Sequence, residues 1–183
     1  MTLRIEKAAF NIREKINELD GVTPYHKMPP GSVIQVQQGV LTSQTESSAG
    51  VGTRVTLGLE VAITPHFPSS KILVTMDGLS MRVRATGTSY FLMMQRRFGN
   101  SGDWVDHFVF AEYAGGGSTT GGLYNREHFP GTSYLDSAGT TQEISYRLQA
   151  EKLSGANIAY HHNASGGRGA RNYCTLTAME VKQ

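Results

Sequence analysis

Residues Leu57 to Val83 constrain the fold most, because they read as two long strands on either side of a proline-bracketed turn. Leu59, Val61 and Ile63 alternate with Glu60, Ala62 and Thr64, the period-two pattern of a strand with one buried and one wet face. Lys71 to Met76 resumes a strand, and its unbroken apolar run from Ile72 to Val74 predicts deeper burial. Pro65 and Pro68 cannot donate to a ladder, and Ser69 and Ser70 favour local side-chain bonds, so the stretch predicts a central hairpin. Two strands alone are marginal in water. The rest of the chain must supply a second sheet.

That supply is visible. Ser32 to Leu41, Ser89 to Phe98, His107 to Tyr113, His128 to Leu135, Glu143 to Ala150, Asn157 to His161 and Tyr173 to Val181 all carry strand patterning. With the central pair they make about nine strands, separated by turn signals such as the polar loop Thr42 to Gly52 and the glycine-rich stretch Gly115 to Gly122. Alternating helices are absent, so a parallel α/β sheet is excluded. The expectation is an all-β protein, an antiparallel β-sandwich or jelly-roll-like domain over residues 31–183. A chain of 183 residues can bury such a core without staples. The single cysteine, Cys174, lies in an apolar alternation and reads as a small core residue.

The N-terminus differs from all of this. Ile5, Ala9, Ile12, Ile16 and Leu19 recur at alternating spacings of four and three, the seam of a heptad helix over residues 1–21, with Thr2 placed to cap it and Gly21 to close it. Two heptads are too few for a self-sufficient coiled coil. The helix must therefore lean on its own domain, on two further copies around an axis, or on a larger assembly. Residues 22–30, with Pro24, Pro29 and Pro30, read as an extended linker free of regular structure, which sets the domain boundary at about Pro30. No apolar run is long enough to cross a bilayer, and no signal-peptide core is present. A net charge of +2 gives no electrostatic footprint for nucleic acid.

Several segments carry a resemblance. Gly31 to Val36, Ile63-Thr64-Pro65 with Ser70 to Val74, Tyr134 to Thr141 leading to Tyr146-Arg147-Leu148-Gln149, and Thr175 to Val181 look like a β-sandwich module that recurs in virion proteins of tailed bacteriophages, and together they span about four fifths of the chain. The segment Asn11 to Asp20 is similar to N-terminal segments of other short phage structural proteins. The resemblance implies a capsid decoration, head-fibre or tail-fibre protein, commonly a homotrimer, located in the virion after assembly in the host cytoplasm and bound to other capsid or tail proteins. Ala138 departs from the pattern where a proline is common, and His66-Phe67 enlarges the turn after Pro65.

Sites for chemistry are few. Asp103, Trp104, Asp106 and His107 combine an aromatic platform with carboxylates, the ingredients of a glycan-contacting corner, although the same residues also suit a surface loop. A glycosidase needs two carboxyl groups at a defined separation, and the sequence singles out no pair. His161 and His162 on one strand would point to opposite faces, which does not make a metal site within one chain. Leu135-Asp136-Ser137 with Gly139 reads as a turn. Gly115-Gly116-Gly117 and Gly166-Gly167 lack a following Lys-Ser or Lys-Thr, although Arg168 and Arg171 could meet an anionic surface. The expectation is a non-enzymatic protein without cofactor or metal, either a connecting module or a short fibre tip that recognises a host-surface glycan.

Overall fold

The computed structural model describes residues 24–42, 45–47, 49–83, 89–114, 125–129, 131–155, 158–160 and 173–183. The expected helix over residues 1–21 lies outside them. The described strands are β1 (Val33–Leu41), β2 (Thr45–Ser47), β3 (Arg54–Ile63), β4 (Lys71–Asp77), β5 (Leu79–Val83) and β6 (Ser89–Phe98). They continue with β7 (Val105–Ala114), β8 (Asn125–Phe129), β9 (Thr132–Ser137), β10 (Ile144–Ser154), β11 (Ile158–Tyr160) and β12 (Cys174–Val181). Residues Tyr25–Lys27 form one turn of 3-10 helix.

Every strand pairing is antiparallel, in three four-stranded sheets of order β1-β12-β4-β9, β3-β10-β6-β7 and β2-β11-β5-β8. The first and third are two halves of one interrupted ribbon. In both the order corresponds, with β2 in the place of β1, β11 in that of β12, β5 in that of β4 and β8 in that of β9. Only Gly78, with a φ of 74°, separates β4 from β5, and a Cβ there would strike the Tyr173 carbonyl. Counting each pair of corresponding strands as one leaves eight segments among the described strands, with order 1-8-3-6 in one layer and 2-7-4-5 in the other. Segment 1 pairs with 8, 2 with 7, 3 with 6 and 4 with 5, as in one long hairpin rolled up on itself. This is the strand order of a jelly roll.

The rolled topology overturns the central hairpin. β3 and β4 follow each other in the chain but lie in opposite layers, joined by an arch over residues 64–70. The inward side chains of β3 (Leu57, Leu59, Val61, Ile63) belong to the same buried core as those of β4 (Ile72, Val74, Met76), which requires one strand on each side. Nor is β4 buried on both faces: Lys71, Leu73 and Thr75 are half-exposed between buried neighbours. His128 to Leu135, expected as one strand, is divided between β8 and β9, and the loop at residues 42–52 contains β2. The other expected strands fall where the patterning put them.

Tyr90, Leu92 and Met94 of β6, Ile144, Tyr146 and Leu148 of β10, and Cys174, Leu176 and Ala178 of β12 complete the core. Each large aliphatic side chain buried there contributes about 1.5–3 kcal/mol. Burial raises the Cys174 thiol to about 12, so it stays protonated and inert.

Residues 24–31 depart from the expected featureless linker. Beyond forming the 3-10 turn, they are tied to the C-terminal end of β12. Gly31 N–H donates to the Lys182 carbonyl at 2.7 Å and Lys182 N–H to the Ser32 carbonyl at 2.9 Å. Lys182 Nζ donates to the His26 and Met28 carbonyls at 2.8 and 2.5 Å, satisfying groups that the short turn cannot. Tyr25 packs on the His66 ring with centroids 4.0 Å apart. Among the described residues no helix is long and apolar enough to cross a membrane.

Candidate functional site

Four residues were singled out for a glycan corner, and the fold divides them. The cause is a β-bulge in β7. Met94 lies opposite Phe108 and Gln95 opposite Asp106, leaving His107 as an extra residue. His107 and Phe108 therefore both reach Tyr134 of β9, His107 edge-on at 5.0 Å and Phe108 stacked at 4.8 Å between centroids. Asp106 turns the other way, onto the outer face of its layer.

On that outer face Asp106 joins a strip of paired charges. Arg54 Nη1 donates to both Asp106 oxygens at 2.8 and 2.7 Å, and Arg54 Nε donates to Glu151 at 2.9 Å. Gln95 Nε2 donates to Asp106 at 2.8 Å, and its Oε1 accepts two bonds from Arg147. Arg147 in turn lies over the Trp104 ring at 4.1 Å, as does Arg97 at 4.5 Å. Trp104 and Asp106 thus share one network, but the indole already carries two guanidinium groups, for which a stacking sugar would have to compete. The Gln95 and Arg54 hydrogen bonds hold the Asp106 carboxyl below its usual range against a burial effect that raises it. Asp103 is exposed in the turn between β6 and β7.

His107 leads instead to Asp136, which is 3% exposed. Arg96 Nη1 donates to both Asp136 oxygens at 2.7 and 2.8 Å, Tyr146 Oη donates at 2.8 Å, and Ser137 N–H donates at 2.7 Å. The last bond is local, but Leu135, Asp136 and Ser137 end strand β9 and do not form the expected turn; the others make Asp136 a link between the two layers. His107 Nε2 lies 3.1 Å from Asp136 Oδ1 without hydrogen-bond alignment. Burial lowers the His107 pKa more than the carboxylate raises it, while burial and the Asp136 charge push the Tyr146 hydroxyl well above its usual range. With Arg96, Tyr146 and Ser137 all donating to it, the Asp136 carboxylate is held in place between the layers. Arg96, Phe98, His107, Asp136 and the turn Ser137 to Thr140 line an open hollow of about 640 Å³. A second hollow of about 450 Å³ lies among Arg54, Phe91, Met93, Asp106, Val109 and Glu151.

A further carboxylate has no counterpart in the sequence reading. Glu180 on β12 is wholly buried beneath the arch. Its Oε1 accepts from the backbone N–H groups of His66 and Phe67 at 2.9 and 3.2 Å and from Ser70 Oγ at 2.7 Å. Its Oε2 accepts from Gln35 Nε2 at 2.8 Å and lies 2.9 Å from His66 Nδ1. Burial raises the carboxyl pKa, yet the bonds from Gln35, Ser70 and His66 outweigh it and leave the group below its usual range. The enlarged turn at His66-Phe67 now has a reason: it wraps a buried anion with backbone donors. The alternation of β12 was the available signal, because Cys174, Leu176, Ala178 and Glu180 share one face.

Among the described residues no group of three or more His, Cys, Asp or Glu is placed to hold a metal ion. Ile5, Ala9, Ile12, Ile16 and Leu19, as well as His161, His162, Arg168 and Arg171, lie outside the described residues.

The layers and their strand order define a β-sandwich of jelly-roll type. Models of known protein families give no match, and neither do the sequences of curated proteins. Among solved structures the chain is similar to VP2 of infectious bursal disease virus in its subviral particle, with 15% identity over 82% of this chain and 34% of that one at a TM-score of 0.43. It is also similar to the T=1 particles derived from infectious bursal virus, with 20% identity over 89% of this chain and 40% of that one at a TM-score of 0.43. This chain spans two fifths or less of the chains it matches. The fold assignment stands on the strand order itself.

Proposed function

We propose that the protein is a structural component of a bacteriophage virion, a trimeric decoration or connecting module or short fibre module, attached to the capsid or tail through its N-terminal segment. The observation that carries this reading is the outer face of the β1-β12-β4-β9 sheet. Val36, Met179, Leu73 and Leu135 are register partners in turn, so they form one apolar row across all four strands. Val36 and Leu135, at its two ends, are 54% and 55% exposed. The neighbouring row, Gln38, Thr177, Thr75 and Ser133, carries no charge. A solvated face of an antiparallel sheet is ordinarily polar, and the opposite layer of this sandwich has its outer face full of charges. A face whose middle rows are uncharged and partly apolar, with Lys71 and Asp77 only at the two ends of β4, suits packing against neighbouring subunits, which is the work of a module held in an assembly by its sides.

The N-terminal seam supplies the attachment in this reading. Changing both Ile12 and Ile16 to Asp should abolish incorporation into particles, since burying each would contribute about 1.5–3 kcal/mol. Light scattering on the variant should report the same number of chains as the parent, because the sandwich sides hold the trimer. Normal incorporation of the variant would end the anchoring proposal.

A second reading, a tip that binds a host-surface glycan, draws on the hollow beside Arg96, where Phe98 is 40% exposed and a guanidinium lies 4.6 Å from its ring centroid. Binding to a glycan array that is lost in Phe98→Ala would favour it. Release of reducing ends from host glycans, lost on changing Asp103 or Asp106 to Asn, would instead demand an enzyme.

A further inference from the structure

Sheet edges invite pairing with other chains, and proteins blunt them with charges, prolines, bulges or short strands. Each layer here has two edges, and three of the four are blunted. β3 carries Arg54 and Glu60 and is bulged against β10 around Gly58, whose φ is 76°. β7 has two register shifts against β6. β9 is only six residues long and turns the charged Asp136 inward.

β1 is different. It is nine residues long, Val-Ile-Gln-Val-Gln-Gln-Gly-Val-Leu, with no charge and no proline. Its single irregularity lies at the start, between Val33 and Gln35, which leaves Gln35 to Leu41 in regular register with β12. Val36 and Val40 are 54% and 48% exposed on the same face, with Gln38 between them. We propose that β1 pairs antiparallel with β1 of a second copy about a two-fold axis centred on Gln38, joining two four-stranded sheets into one of eight.

The sequence of the strand is what selects a second copy as the partner. Centring on Gln38 sets Val36 opposite Val40 of the other copy, twice by symmetry, and Gln38 opposite itself. Each exposed valine then meets a valine, and the amide of Gln38 can both donate and accept across the axis. An isologous contact brings every residue against its symmetry mate's surroundings, so a charged strand would repel itself, whereas this one carries nothing to repel. The contact goes beyond the three-fold association proposed above and does not depend on the N-terminal segment, so the two fail separately.

The test uses the chain of 183 residues, in which Cys174 is the one cysteine and is buried. Under mild oxidation Gln38→Cys should give a disulfide-linked dimer about tenfold faster than Thr56→Cys on the blunted β3 edge, because a two-fold centred there puts the two thiols within bonding reach. Gln38→Lys places like charges directly opposite, and light scattering should show the mass halved relative to the parent. Equal crosslinking rates for the two cysteine variants, or an unchanged mass for Gln38→Lys, would overturn the proposal.

Discussion

The surroundings of Glu180, Asp106 and His107 hold each of them below its ordinary pKa. Glu180 holds its charge because four donors converge on it, with His66 Nδ1 beside them, so removing it leaves the arch donors without that partner. Glu180→Ala should lower stability by about 3 kcal/mol, the upper range for unpaired buried polar groups, read as the shift of the urea midpoint at constant slope. The pH dependence has a fixed sign. Glu180, Asp106 and His107 all have folded pKa values below their ordinary ones, so each takes up protons more readily in the unfolded chain. Stability is then full above the unfolded values and is lost as pH falls. The His107 share should appear first, below about pH 6.5, and the carboxylate share below about pH 4.5. His107→Phe keeps an aromatic edge for Tyr134 and should flatten the loss between pH 7 and 5 in a thermal-melt series, while leaving the steeper loss at lower pH.

At the scale of elements, legibility in the sequence followed locality. Ser89 to Phe98 was readable as a strand because its richness in Tyr, Phe and Met is written in its own residues. The pairing of β3 with β10, and of β4 with β12 and β9, is not written locally, since Pro65 and Pro68 deny ladder hydrogen bonds equally well in a hairpin turn and in an arch between layers. The glycan corner failed to assemble for a related reason: alternation predicts opposite faces for neighbours, and the bulge at His107 redirects one of them. Asp136 was read as a turn residue from its neighbours in sequence, whereas Arg96 and Tyr146, which make it a cross-layer link, are remote from it in the chain. Gly39 shows the same limit. It looks like a weak spot in β1, yet a Cβ there would collide with the Glu60 carbonyl of β3, so glycine lets the two layers close at that side. Gly39→Ala should cost about 1–3 kcal/mol in chemical denaturation, because the clash is with backbone that cannot swing away.

The described sandwich is a roll whose first and last strands meet. Residues 24–31 are fastened to Lys182 by backbone and side-chain bonds and to His66 by Tyr25, so the segment before the sandwich stabilises it although it adds no strand. A chain beginning at Gly31 should melt several degrees below one beginning at Pro24, since losing about 1 kcal/mol shifts the midpoint by about 2–4 °C at this size. Equal midpoints would mean that these contacts contribute nothing net.

The nested order of the pairs also dictates a history for each molecule. Among the described strands only β6 and β7 are neighbours in both chain and sheet; β4 and β9 must close a longer loop, β3 and β10 a longer one still, and β1 meets β12 across nearly the whole domain. Loop-closure entropy therefore favours zipping from the middle of the chain outward, and topology of this kind folds slowly. β1 is the last strand to be seated. Until it arrives, β12 is itself an open edge, and in a crowded population the β1 that fills the vacancy need not come from the same chain. Dilution during refolding would then decide how many molecules exchange their first strand with a neighbour.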